Sequence, residues 1–213
     1  AYDEQCALCI QERVPYVSFT FGLPSRETVI AMKTKGIRLI GTATSKKEAE
    51  AVEARGLDYV VLQSIEAGGH RGSFIEEGQT DWRTLLEETS HLFIPRIVAG
   101  SIATTDDAKE AYEKGAAGVQ VGTALLCATE SGASLVHQRA LRQSKRGDTT
   151  LTKAFSGKWA RGIRNTYIDE MKDATIAPYP YQNEWTKRLR KEATRQGNAS
   201  FVSLWSGTKG YLA

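Results

Sequence analysis

Three times along this chain a basic residue and a glycine close a helix-like stretch, and a near-continuous apolar run begins at once. Lys35-Gly36 precedes IRLIGTAT (37–44), Arg55-Gly56 precedes LDYVVLQS (57–64), and Lys114-Gly115 precedes AAGVQVGTALL (116–126). A glycine just past a helix takes the left-handed shape that ends it. Apolar runs without alternation belong to strands covered on both faces, as in parallel sheets. VPYVSFTFG (14–22) and IPRIVAGS (94–101) read as two further strands. The stretches between them read as helices: 25–36 with Ser25 as N-cap, 45–56 with Ser45 and Glu48 in capping-box spacing, 80–93, and 104–115 with an acidic first turn. Five strands alternating with helices predict an α/β fold.

The rest of the chain breaks that rhythm. Residues 137–172 read as a helix, a loop and another helix, and 183–197 as a helix with Trp185, Leu189 and Ala193 on one face. Lys187, Arg188, Arg190, Lys191 and Arg195 on this last helix read as a solvated face and not a nucleic-acid patch, because 28 basic against 25 acidic residues leave only +3. No apolar run is long enough to span a membrane. Cys6, Cys9 and Cys127 are an odd number without the spacing of a disulfide framework, which predicts a reducing, cytoplasmic setting. Cys6-x-x-Cys9 has no second pair to complete a metal site and reads as buried thiols on one helix face. No metal is expected.

In parallel α/β folds ligands sit beyond the carboxyl ends of the strands. Gly100-Ser101 and Gly122-Thr123 end two successive strands with small residues and nearby hydroxyls. Such residues let a phosphate approach backbone N–H groups, as in the barrel phosphate site after strands seven and eight. The third strand runs into QSIEAGGHRGSF (63–74), where Gly68, Gly69 and Gly72 surround His70. The glycines allow backbone shapes closed to other residues, and a neutral imidazole is a general base at physiological pH. Glu66 and Arg71 either tune that ring or pair with each other.

QSIEAGGHRGSF, VAGSIAT, GVQVGTALL, SGKWARGIRN, PYPYQNEWTKRLR and FVSLWSGTKG together resemble the nitronate monooxygenases, formerly 2-nitropropane dioxygenases, over nearly the whole chain. The resemblance implies an FMN-dependent (β/α)8 barrel that oxidises alkyl nitronates with O2 to a carbonyl compound and nitrite. It makes His70 the base that takes the α-proton of a neutral nitroalkane. It assigns Ala99, Gly100, Ser101, Gly122 and Thr123 to the FMN phosphate site, and Gln63, Ala67, Gly68 and Gly69 to the length of the flavin. The chain departs from the family pattern at Ser64 and Ser101, where glycine is usual, and at Thr208, where glutamine is common.

On this count the five strands are four to eight of the barrel, and the family's amino-terminal flavin segment is not in the sequence. Residues 1–135 are then expected to form a partial barrel carrying the phosphate site, with 136–213 a helical segment packed on it. The expected partners are a small nitronate or nitroalkane and O2, without nucleic acid or membrane. Unpaired strand edges would favour self-association. Two other functions stay open: a flavin-dependent enoyl-acyl-carrier-protein reductase, and a non-catalytic fragment of such a barrel.

Overall fold

A computed structural model describes residues 2–213. In chain order the elements are α1 (Tyr2–Gln11), β1 (Tyr16–Phe19), α2 (Arg26–Thr34), β2 (Arg38–Ala43), α3 (Lys46–Ala54), β3 (Tyr59–Gln63) and β4 (Gly69–His70). They continue with α4 (Trp82–Glu88), β5 (Arg96–Ala99), α5 (Thr105–Glu113) and β6 (Gly118–Gln120). The last are α6 (Leu135–Gln143), β7 (Thr149–Thr152), β8 (Ala160–Ile163), α7 (Thr166–Glu170) and α8 (Tyr181–Arg195). The chain divides into two compact units. One comprises residues 1–65, 72–99 and 109–120, and the other residues 66–71, 100–108 and 121–213.

The first unit is the α/β part. Its sheet has the order β1-β2-β3-β5-β6, and every neighbouring pair is parallel. Its ends are β1 and β6, which among the described residues do not pair with each other, so this sheet is open. The three helix-closing glycines take the left-handed shape expected of them, with φ of +78° at Gly36, +86° at Gly56 and +91° at Gly115. Met32, Leu39, Val52, Leu62, Trp82, Leu85 and Val98 are buried to 1% exposure or less. Side chains of this size contribute roughly 1.5–3 kcal/mol each when fully buried. The run 116–126 is a strand only over β6, after which Thr123–Leu125 coil into a short 3-10 turn.

Ser25 and Ser45 cap α2 and α3 as expected, accepting from the amides of Thr28 and Glu48. Glu48 does not complete a capping box. Its fully buried carboxylate instead takes the Thr44 amide at 2.7 Å and hydroxyl at 2.9 Å on one oxygen. The other oxygen accepts from Phe74 N, from Ile75 N at 2.7 Å and from Glu76 N at 3.4 Å. A side chain from α3 thereby fastens the loop that follows Arg71.

The second unit corrects the expected helix, loop and helix over 137–172. Between α6 and α7 lies an antiparallel hairpin, β7 with β8, to which β4 adds a third strand in the order β4-β8-β7. Val136, Leu141, Ile163, Ala193, Val202 and Leu204 form its apolar core. On α8 burial takes in polar as well as apolar residues. Trp185 is 71% exposed and Leu189 39%, while Gln182, Thr186 and Ala193 are buried. Polar side chains win because they have partners in the hairpin turn: Gln182 Nε2 donates to Ala154 O at 2.6 Å and Thr186 Oγ1 to Phe155 O at 2.5 Å. Among the described residues no helix is long and apolar enough to cross a membrane, and no cluster of His, Cys, Asp or Glu could hold a metal.

Candidate functional site

His70 is half-buried in β4, opposite Ala160 of β8. Its Nε2 lies 2.7 Å from Ser156 Oγ, in the turn of the hairpin. Ser156 is 2% exposed, and its Oγ also lies 3.2 Å from Lys158 O and accepts from Lys158 N at 3.3 Å. When the Ser156 hydroxyl is turned to Lys158 O, Nε2 is the protonated ring nitrogen and Nδ1 carries the lone pair. The Trp205 ring meets the imidazole edge-on, with centroids 5.3 Å apart. Burial pushes the His70 pKa below its ordinary value of 6.5, and the cations Lys158 and Arg190 push it further down. The ring is therefore neutral at physiological pH, the state a base needs.

Gly68 and Gly69 serve different purposes. A Cβ on Gly68 would stand 2.5 Å from Gly207 N and 2.6 Å from the carbonyl carbon of Ser206. The missing side chain thus makes room for backbone of this same unit. Gly69, at φ +78°, has nothing within 4 Å of a built Cβ, so its requirement is conformational. Ala67 is buried.

The two proposed phosphate turns have unusual backbones. Gly100 has φ +110° and Ser101 φ +59°. Serine in the left-handed region costs about 1–2 kcal/mol relative to the right-handed one, so its neighbours must hold it there. Its Oγ is 2.9 Å from Thr208 Oγ1. Gly122 has open space where a Cβ would stand and leads into the turn at Thr123. Thr123 Oγ1 accepts from Gly207 N at 3.0 Å, which leaves its own hydrogen to donate. The amides of Ser101, Gly122 and Thr123 donate to no acceptor among the described residues. Backbone amides in turns that are left without an acceptor can converge on an anion, so the residues present fit the phosphate of a flavin mononucleotide.

Asp107 closes the same region. Its carboxylate accepts from Ala103 N at 3.0 Å and Thr104 N at 2.9 Å and pairs with Lys209. Burial raises its pKa, but the Lys209 ammonium and these amides outweigh that and hold it at about 2. Gln63 and Ala99 belong to the first unit, paired in register at the ends of β3 and β5. There Gln63 Oε1 accepts from Gly72 N at 2.8 Å.

Ser156 and Lys158 escaped notice as neighbours of His70 because 137–172 read as helical, and Trp205 because its contact with the ring spans a long sequence separation. The β-branched run Thr149-Thr150-Leu151-Thr152 and the later Gly157, at φ +83°, were the available signs of a strand and a turn.

A family model described as nitronate monooxygenase matches residues 1–213. The chain is 44% identical to a probable nitronate monooxygenase from Staphylococcus saprophyticus, over 97% of this chain and 60% of that protein. It thus spans about three fifths of the length of this curated relative. A solved nitroalkane oxidase from Streptomyces ansochromogenes superposes with a TM-score of 0.95 at 36% identity, covering 100% of this chain and 63% of the other. FabK from Thermotoga maritima superposes at 0.82 with 29% identity, covering 99% and 66%.

Proposed function

Because the chain belongs to the nitronate monooxygenase family, we propose that it oxidises alkyl nitronates with O2 to a carbonyl compound and nitrite, with FMN as cofactor. The observation that carries this reading is His70, a neutral imidazole braced by Ser156 Oγ at 2.7 Å and by the Trp205 edge. When bound, the flavin supplies the electron-accepting chemistry.

The protein's own residues do the rest. His70 removes the α-proton of a neutral nitroalkane, and the lone pair stands on Nδ1 in the tautomer that donates to Ser156. Ser156 keeps the ring from turning, and Trp205 flanks it with an apolar edge. Lys158 and Arg190 favour release of the proton after each turnover by disfavouring the imidazolium. The amides of Ser101, Gly122 and Thr123 hold the cofactor phosphate, with the Thr123 hydroxyl as a further donor.

Replacement of His70 by alanine in flavin-loaded protein separates the roles. Turnover of neutral nitroalkane is expected to fall by about 100-fold or more, the usual scale of a lost general base. Preformed nitronate needs no proton removed, so its oxidation should largely survive. Equal losses on both substrates would assign His70 to positioning alone. The enoyl-reductase alternative predicts NADH oxidation without any nitro compound, which the proposed function does not.

A further inference from the structure

Residues 205–209 touch a different part of the second unit at every position. The Trp205 ring meets His70, and Ser206 N donates to Arg161 O at 3.2 Å. Gly207 N donates to Thr123 Oγ1 at 3.0 Å. Thr208 N donates to Glu66 O at 3.1 Å, while its hydroxyl meets Ser101 Oγ at 2.9 Å. Lys209 pairs with Asp107, whose carboxylate holds the amides of Ala103 and Thr104. One strap therefore ties the loop before His70 to both turns with free amides. Gly68 lacks a side chain because this strap passes over it.

Thr208 of this strap and Ser101 of the first glycine turn share a hydrogen bond between their hydroxyls. Two hydroxyls that share one hydrogen bond use one of their two hydrogens. The second hydrogen remains to be donated. Ser101 is 8% exposed, so its hydroxyl has little access to bulk water, and its own amide is one of those free for an anion.

We propose that Ser101 and Thr208 act as a single hydroxyl pair, held by the 205–209 strap, whose unshared hydrogen is donated to the phosphate of bound FMN. Thr208 is thereby a cofactor-positioning residue. This rests on the phosphate assignment made above, and it adds a specific role for the two hydroxyls. The pair also explains how serine occupies a left-handed position: the bond to Thr208 offsets what the backbone shape costs.

Two measurements test it. The first needs no cofactor and reads thermal unfolding in a double-mutant cycle of Ser101→Gly and Thr208→Val. Thr208→Val alone should lower Tm by about 2–4 °C, the shift for one lost hydrogen bond in a chain of this size. Ser101→Gly should be near neutral in the parent, where relief of strain cancels the lost bond. In the Thr208→Val background it should raise Tm by a similar 2–4 °C. The same Ser101→Gly effect in both backgrounds would refute the coupling.

The second compares titrations with FMN and riboflavin. Thr208→Val should weaken FMN about tenfold, equivalent to 1.4 kcal/mol, and leave riboflavin unchanged. The double variant should lose no more FMN affinity than the weaker-binding single variant. Unchanged FMN binding, or equal weakening of both ligands, would overturn the donated hydrogen bond. A parent protein that takes FMN no better than riboflavin, or takes neither, would overturn the phosphate assignment itself. The thermal cycle reports the pair independently of that result.

Discussion

At the scale of single residues, the chemistry turns on which charges surround His70. Its pKa is depressed by burial first and by Lys158 next. Removing the Lys158 charge with Lys158→Met should raise the His70 pKa, because the imidazolium then loses a repelling neighbour. The sign for catalysis follows. A base must be unprotonated, so under the proposed function turnover of neutral nitroalkane should be lost as pH falls through the His70 pKa, which lies below the ordinary 6.5. In Lys158→Met that acid limb should move to higher pH, while oxidation of preformed nitronate keeps its profile. Titration of the ring by NMR checks the shift directly, and an unmoved resonance would exclude Lys158 as a cause.

Among the elements, α3 and the loop it fastens make the clearest case. Glu48 gathers amides from two segments onto one buried carboxylate. Glu48→Ala removes the shared acceptor of the buried Thr44 groups and of three part-buried loop amides, at a cost of about 3 kcal/mol. That corresponds to a Tm lowered by roughly 6–12 °C in a chain of this size. Faster amide exchange at Ile75 and Glu76 should accompany it, and unchanged exchange there would show that other contacts hold the loop. The sequence marked Glu48 as a capping residue because three-residue spacing is visible locally, whereas its partners are Thr44 and three amides near position 75. The same limit separates the legible from the illegible elsewhere. Helix-closing glycines, caps and buried parallel strands are set by neighbours in sequence, and they were readable. The β7–β8 hairpin and the buried polar face of α8 depend on pairing across long separations, such as Thr186 with Phe155. Of the candidate site, His70 and the two glycine turns were visible as types at strand ends. Ser156 and the 205–209 strap were not, because nothing near them in sequence announces what they touch.

For the whole molecule, the open sheet sets the expected behaviour. Among the described residues β1 and β6 each have one edge without a strand partner, and Tyr16 on β1 is 58% exposed. Exposed parallel edges invite pairing with another chain. Sedimentation velocity over a concentration series should therefore show self-association, and Tyr16→Lys should reduce it by placing a charge on the edge. A single monomeric species at every concentration would remove the edges from consideration.

The strap has a consequence in time as well as in space. Translation delivers the loops around His70, Ser101 and Thr123 first, and the segment that ties them together only later. At roughly 5–20 residues per second, a growing chain spends seconds with both glycine turns made but their clasp still inside the ribosome. During that interval Ser101 has no Thr208 to hold it left-handed, so the anion cradle is unset. On the proposed reading, cofactor capture belongs after synthesis of Lys209, and a nascent chain stalled before that residue would carry His70 without the strap that is proposed to complete the phosphate site.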